Sequence, residues 1–169
     1  MKKYTPHIAV FLSSIGVMVI ELTAGRLVSK YFGTSLYTWT GVIGVVLGGI
    51  SLGNFIGGRL ADRYTPVKAA GPVMLIASGI VFLILVLDIL LDGLFSRAGS
   101  IVTSAMVGRS VLFIFVLFFL PASGLGTLSP IMAKYALELK GFLGKTVGNI
   151  YAIGAAGSII GTFLAGFVL

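Results

Sequence analysis

Five long apolar stretches dominate this sequence and constrain its fold more than any other feature. They run from about residue 8 to 28, 37 to 58, 70 to 91, 110 to 133 and 147 to 169. A helix needs about 20 apolar residues to cross the hydrocarbon of a bilayer. Because lipid offers backbone amides no hydrogen-bonding partner, each crossing has to be helical. The sequence therefore predicts one all-α domain, a polytopic transmembrane bundle of about five spans.

The composition fits a lipid-facing surface and excludes several classes of function. Charged residues make up 10% of the chain, whereas soluble domains carry roughly 25%. The net charge of +7 is spread over the loops without a dense patch, so we expect the bilayer, and no nucleic acid, as a partner. The sequence has no cysteine and no cluster of metal ligands. With no nucleophile–base pair either, we expect no cofactor, no metal and no enzymatic activity.

The distribution of lysine and arginine predicts the orientation, because cytoplasmic loops of membrane proteins are enriched in both. With the N-terminus in the cytoplasm, the inner loops contain Lys2, Lys3, Arg59, Arg63, Lys68, Lys134, Lys140 and Lys145. The outer side then holds Lys30, Arg97 and Arg109. We therefore expect a multi-pass protein of the cell (inner) membrane with its C-terminus outside. The last span runs to Leu169, so the sequence leaves open whether the natural chain continues.

Small residues recur at a spacing of four in two spans. In span two they are Gly44, Gly48, Gly49, Gly53 and Gly57, and in span five they are Gly157, Gly161 and Ala165. Residues four apart share one helix face, and small side chains let membrane helices approach closely. The stripes predict close helix packing, or else a hinge or sliding surface in a transporter.

The two stripes also resemble each other in sequence. Residues 49–58 align with residues 157–166, with glycine or phenylalanine in common at four positions. Span two runs inward and span five outward, so this likeness is typical of an inverted three-plus-three repeat with the sixth helix missing.

A few polar residues lie within or near the spans. Glu21 is past the middle of span one, where a bare carboxylate is costly and has to be protonated, paired or wet. It is either structural polar glue or a proton or cation site. Arg26, five residues on, is a poor intrahelical partner, and it either snorkels outward or reaches Glu21 through its long stem. Asn54 is expected to be a buried amide that bonds across to another helix. Asp88, with Asp92, is a solvated edge, an acidic mouth that attracts cations, or a partner of Arg97 and Arg109.

Span four contains Pro121 and Pro130. Proline removes a backbone hydrogen bond and kinks a helix, so we expect this span to be bent or broken. Broken helices often line transport sites, although they also occur in membrane proteins that transport nothing.

The loop after span two resembles a known signature. Gly58, Arg59, Asp62 and Arg63 are similar to the Gly-x-x-x-Asp-Arg loop of the major facilitator superfamily, in which acid and arginines brace helix ends and hold one conformation. The basic run that usually follows is reduced here to Lys68.

A closer resemblance, to the membrane domain of fused, facilitator-like spermidine synthase homologues, covers almost the whole chain. It is carried by Glu21-x-x-x-x-Arg26 with the turn at 32–35, by residues 46–63 and by residues 144–167. The resemblance implies a half-facilitator architecture. In those homologues a soluble aminopropyltransferase-like domain follows the helices. Nothing here matches its glycine-rich strand–turn–helix, so this chain is not expected to be a transferase.

Two hypotheses about function follow. The first is a half-facilitator-like protein that moves or senses a small solute, with a cation or polyamine as the candidate. Because five helices do not readily enclose a two-halved path, it requires a homo-oligomer or a partner subunit. The second is a non-transporting anchor or accessory subunit that organises a soluble enzyme or a larger membrane complex through its glycine faces.

Overall fold

A computed structural model describes residues 4–95, 105–140 and 142–169 of the chain. These residues form six helices: α1 (Thr5–Phe32), α2 (Leu36–Arg63), α3 (Pro66–Phe95), α4 (Ala105–Gly126), α5 (Leu128–Lys140) and α6 (Leu143–Phe167). Helices α4 and α5 follow each other with only Thr127 between them and together form one apolar span, Ser110–Leu139. Within the described residues, five spans are long and apolar enough to cross a membrane. The predicted all-helical bundle is confirmed.

A tight connection joins α1 to α2. Gly33 has a φ of 75° and donates its amide hydrogen to the Ser29 carbonyl at 3.0 Å, which closes the last turn of α1. A side chain is strained at that positive φ, so glycine suits this position. Two residues later the Ser35 hydroxyl accepts the amide hydrogen of Thr38 at 3.2 Å and caps α2. The chain thereby reverses direction between the two spans.

The glycine stripe of α2 packs directly against the backbone of α4. A Cβ atom on Gly49 would lie 2.8 Å from the carbonyl oxygen of Phe119. A Cβ on Gly53 would collide with the carbonyl oxygen of Ser123, and one on Gly57 would collide with that of Thr127. The partner residues rise in number with the glycines, so α2 and α4 run parallel. Hydrogen in place of a side chain is what allows this approach.

The stripe of α6 packs in the same way on α1. A Cβ on Gly157 would lie 2.5 Å from the carbonyl oxygen of Phe11, and one on Gly161 would lie 2.7 Å from that of Ile15. Helices α1 and α6 are therefore also parallel. The bundle consists of these two parallel pairs, with α3 packed on α4 and α5.

The buried side chains form two apolar clusters, one towards each end of the bundle. The first joins α1, α2 and α4 through Ile20, Val28, Val42, Val46, Ile114 and Phe118. The second joins α1, α5 and α6 through Val10, Ile131, Met132 and Ile150. Many large apolar side chains remain exposed, such as Leu75 at 76% and Phe82 at 67%. An apolar outer surface of this kind suits lipid rather than water.

Candidate functional site

Glu21 lies inside the membrane-crossing part of α1. It is 2.5 residues from the midpoint of the helix Thr5–Phe32, about 4 Å at the rise of an α-helix. The side chain is half-buried. Within the described part of the chain, no hydrogen bond or ion pair joins its carboxyl group to another residue. Such a group in a membrane span marks a candidate site for a proton or a cationic ligand.

Arg26 does not pair with Glu21 but reaches another helix. Its guanidinium donates to the carbonyl oxygen of Gly166, in the last turn of α6, at 3.4 Å. The last carbonyls of a helix have no partner within the helix and carry partial negative charge, so a cation beside them is stabilising. We call the end of the bundle where α1 and α6 finish the upper end. Arg26 ties α1 to α6 there.

A second cation contact, made by a lysine, lies at the opposite end, which we call the lower end. The Lys134 ammonium on α5 donates to the carbonyl oxygen of Ala61, in the last turn of α2, at 2.5 Å. It also lies 3.9 Å from the Asp62 carboxylate, whose side chain is 85% exposed. Because an exposed ion pair contributes little, the bond to the Ala61 carbonyl is the stronger part of this contact.

The other residues of the signature loop lie around this lower contact. The Arg59 guanidinium stacks on the Phe55 ring, 3.9 Å from its centroid, an attraction of the cation–π type. Gly58 has open space where a side chain would be, and Arg63 ends α2, exposed. The structure places all four signature residues in the last turns of α2 and not in a loop. Asp62 is joined there to α5, a partner that sequence reasoning missed. A lysine inside the apolar stretch 128–136 is the signal that could have identified it.

Two other candidate residues fall elsewhere. The expected burial of Asn54 is wrong: its side chain is exposed, because the neighbouring Gly53 occupies the α4-facing side of α2. The side-chain amide of Asn54 therefore does not point at α4 and makes no hydrogen bond to it. Asp88 belongs to α3, and its side chain, like Asp92, lies outside the part of the structure that describes side chains.

Span four is interrupted three residues before its second proline. Pro121 is buried within α4, whereas Pro130 stands three residues into α5. Proline has no amide hydrogen and its ring crowds the carbonyl four residues earlier, which here belongs to Gly126, the last residue of α4. The break at Thr127 follows directly. The Thr127 hydroxyl donates to the Gly124 carbonyl at 2.6 Å and satisfies one group next to the break.

An apolar cavity of about 560 Å³ lies between α1, α3 and the α4–α5 junction. Its walls include Leu12, Gly16, Ile20, Phe82 and Leu128, and its polar groups are the hydroxyls of Ser13 and Ser78. The Ser13 hydroxyl already donates to the Val10 carbonyl at 3.0 Å. This cavity can hold an alkyl chain but offers a bare cation no charged ligand. Among the described residues, no three acidic or histidine side chains gather as a metal site.

Comparison with known proteins adds no relative. No family model, no curated protein and no solved structure matches this chain.

Proposed function

We propose that this chain is a half-facilitator-like integral membrane protein that moves or senses a small solute, a cation or polyamine. The observation that carries the proposal is the Glu21 carboxyl group near the middle of α1, which no described side chain pairs. Ionisable groups inside membrane spans are costly and generally serve ions, protons or ligands. A carboxylate at this depth is a suitable partner for an ammonium group.

We further propose the cell (inner) membrane, with the N-terminus cytoplasmic and the C-terminus external. The distribution of cations between the two ends of the bundle supports this orientation. Arg59, Arg63 and Lys68 lie where α2 ends and α3 begins, and Lys134 and Lys145 lie on α5 and at the start of α6. The upper end carries Arg26 and Lys30 on α1 and Arg109 near the start of α4. Since cytoplasmic loops are the positively charged ones, the lower end is the cytoplasmic end.

Transport by this chain requires a second subunit. Two of the five spans pair tightly with two others, and the cavity between α1, α3 and the α4–α5 junction is apolar. In facilitator-like transporters the solute site lies between two halves. A homodimer or a partner membrane subunit would supply the second half.

The alternative, a non-transporting anchor that organises an enzyme or a larger complex, loses part of its basis. An anchor of this kind would bind its partner through the glycine faces, but Gly53 and Gly157 face other helices of the same bundle. An accessory role would have to use Gly44 and Gly48 on the exposed side of α2. A stoichiometric co-purifying partner, together with no thermal shift on adding any solute, would favour this alternative.

Uptake of labelled spermidine or a smaller organic cation into proteoliposomes tests the proposal. We expect Glu21→Gln to lower uptake by at least about tenfold, because a charge-assisted hydrogen bond is typically worth 1.5–3 kcal/mol. The matched control is Glu138→Gln, which removes the same charge from an exposed position on α5 and should leave uptake unchanged. Uptake that survives Glu21→Gln, or that falls equally in both variants, would contradict a role for Glu21.

A further inference from the structure

The likeness between the two glycine stripes extends over most of the chain at one constant spacing. Gly49 and Gly157 are 108 residues apart, and the same spacing without a gap relates residues 5–61 to residues 113–169. Identical pairs include Phe11 with Phe119, Leu12 with Leu120, Gly16 with Gly124, Thr38 with Thr146, Gly53 with Gly161, Phe55 with Phe163 and Gly58 with Gly166. The first unit is α1 and α2, and the second is α4, α5 and α6.

Burial follows the same spacing, although most of the paired residues differ in type. Both members are buried in the pairs Pro6 and Ile114, Ala9 and Leu117, Val10 and Phe118, Ser13 and Pro121, Ile20 and Leu128, Ala24 and Met132, and Val28 and Ala136. A shift of one residue would turn each side chain by about 100° around its helix and destroy this agreement. The two units therefore share their packing as well as part of their sequence.

Contacts between the units repeat as well. A Cβ on Gly49 would meet the Phe119 carbonyl oxygen and, at 2.9 Å, the Cβ of Ala122. A Cβ on Gly157 would meet the Phe11 carbonyl oxygen and, at 3.2 Å, the Cβ of Ser14. The residue numbers of the two sets of partners differ by 108, as those of the two glycines do. The glycine of the first unit meets the second unit, and the glycine of the second unit meets the first. Since α1 and α4 run in opposite directions, the exchange also inverts the bundle.

The same exchange relates the two cations at the ends of the bundle, although their acceptors are three residues out of register, because Ala61 corresponds to Leu169 and not to Gly166. Arg26 and Lys134 are 108 residues apart, and each donates to a carbonyl in the last turn of the other unit's glycine helix. We call Arg26–Gly166 the upper latch and Lys134–Ala61 the lower latch. The two are unequal in the structure. The lower bond is 2.5 Å, with Asp62 beside it, and the upper bond is 3.4 Å, with no ion pair to Arg26 among the described residues.

We propose that Arg26 and Lys134 are equivalent latches that alternate. The described structure is the state in which the lower latch is closed and the upper latch is loose. Because the units are related by an inverted repeat, exchanging their conformations gives a second state in which the upper latch is closed and the lower one loose.

This inference takes its membrane placement from the proposed function but needs no solute for its test. Spin labels at repeat-equivalent exposed positions measure each end: Lys30 with Phe167 at the upper end, and Glu138 with Arg59 at the lower end. In double electron–electron resonance on the full chain in nanodiscs, we expect Lys134→Met to lengthen the lower distance and shorten the upper one. Arg26→Met should instead leave a single population with the short lower distance.

Matched variants separate alternation from simple loss of structure. Lys145→Met removes an exposed cation from the same lower end and should change neither distance, while Arg26→Lys and Lys134→Arg keep the donors and should restore the wild-type distributions. If Lys134→Met lengthens the lower distance but leaves the upper one unchanged, or changes neither, the latches do not alternate. Alternation that no added cation shifts would sustain this inference while counting against the proposed solute function.

Discussion

Replacing Gly53 with leucine is expected to prevent α2 and α4 from packing and to leave little folded protein. A Cβ at this position would collide with the Ser123 carbonyl oxygen, which belongs to the backbone and has no rotamer to adopt. The two helices would have to separate along the whole stripe. Overpacking in protein cores typically costs 1–3 kcal/mol, and a collision with backbone should reach the upper end of that range, about 3 kcal/mol or more.

Thermal unfolding in detergent, followed by the fluorescence of the single tryptophan Trp39, measures this loss. Gly44→Leu is the matched control on the same helix, because no atom lies within 4 Å of the Cβ position there. The control should be neutral, or stabilising by up to about 1 kcal/mol, since glycine is a poor helix former. Equal melting temperatures for the two variants would show that α2 and α4 are not in backbone contact.

Gly157→Leu is expected to separate α1 from α6 with a similar loss of stability. Its Cβ would lie 2.5 Å from the Phe11 carbonyl oxygen, again a backbone atom. Because the contact is the repeat equivalent of the Gly49 contact on α4, its cost should again be about 3 kcal/mol.

The control for this second substitution is Gly148→Leu, about two and a half turns earlier on α6, where nothing lies within 4 Å of the Cβ position. The same unfolding assay, combined with size-exclusion chromatography, distinguishes a separated helix from an aggregated chain. A Gly157→Leu protein that is as stable as the Gly148→Leu protein would contradict the parallel α1–α6 pairing.

The fold was largely predictable from the sequence, because the physics of a lipid solvent leaves few choices. Apolar length fixes the number of spans, and the spacing of Gly49, Gly53 and Gly57 identifies one packing face. Which helix receives that face was not predictable, since α4 and α1 have no matching stripe of their own. Their contribution is backbone carbonyl oxygens, which every residue has.

The candidate site was only partly predictable. Glu21 stands out as a charge in an apolar run, whereas the contacts of Arg26 and Lys134 join residues 140 and 73 positions apart in the chain. Such contacts depend on helix pairing that the sequence does not encode locally. The exposure of Asn54 depends on the same pairing. Because Gly53 faces α4, the next residue on α2, Asn54, points away from α4.

The parallel pairing of α1 with α6 has a consequence for how the protein is made. Helix α1 is synthesised before the other described helices, and the glycine surface that covers its Phe11–Ile15 backbone is synthesised only after α2, α3, α4 and α5. Until then, lipid occupies that surface, and the nascent chain is a set of inserted but incompletely assembled helices. Assembly of the α1 side therefore has to be post-insertional, and nascent chains that stall before α6 should be the ones recognised by membrane quality-control proteases.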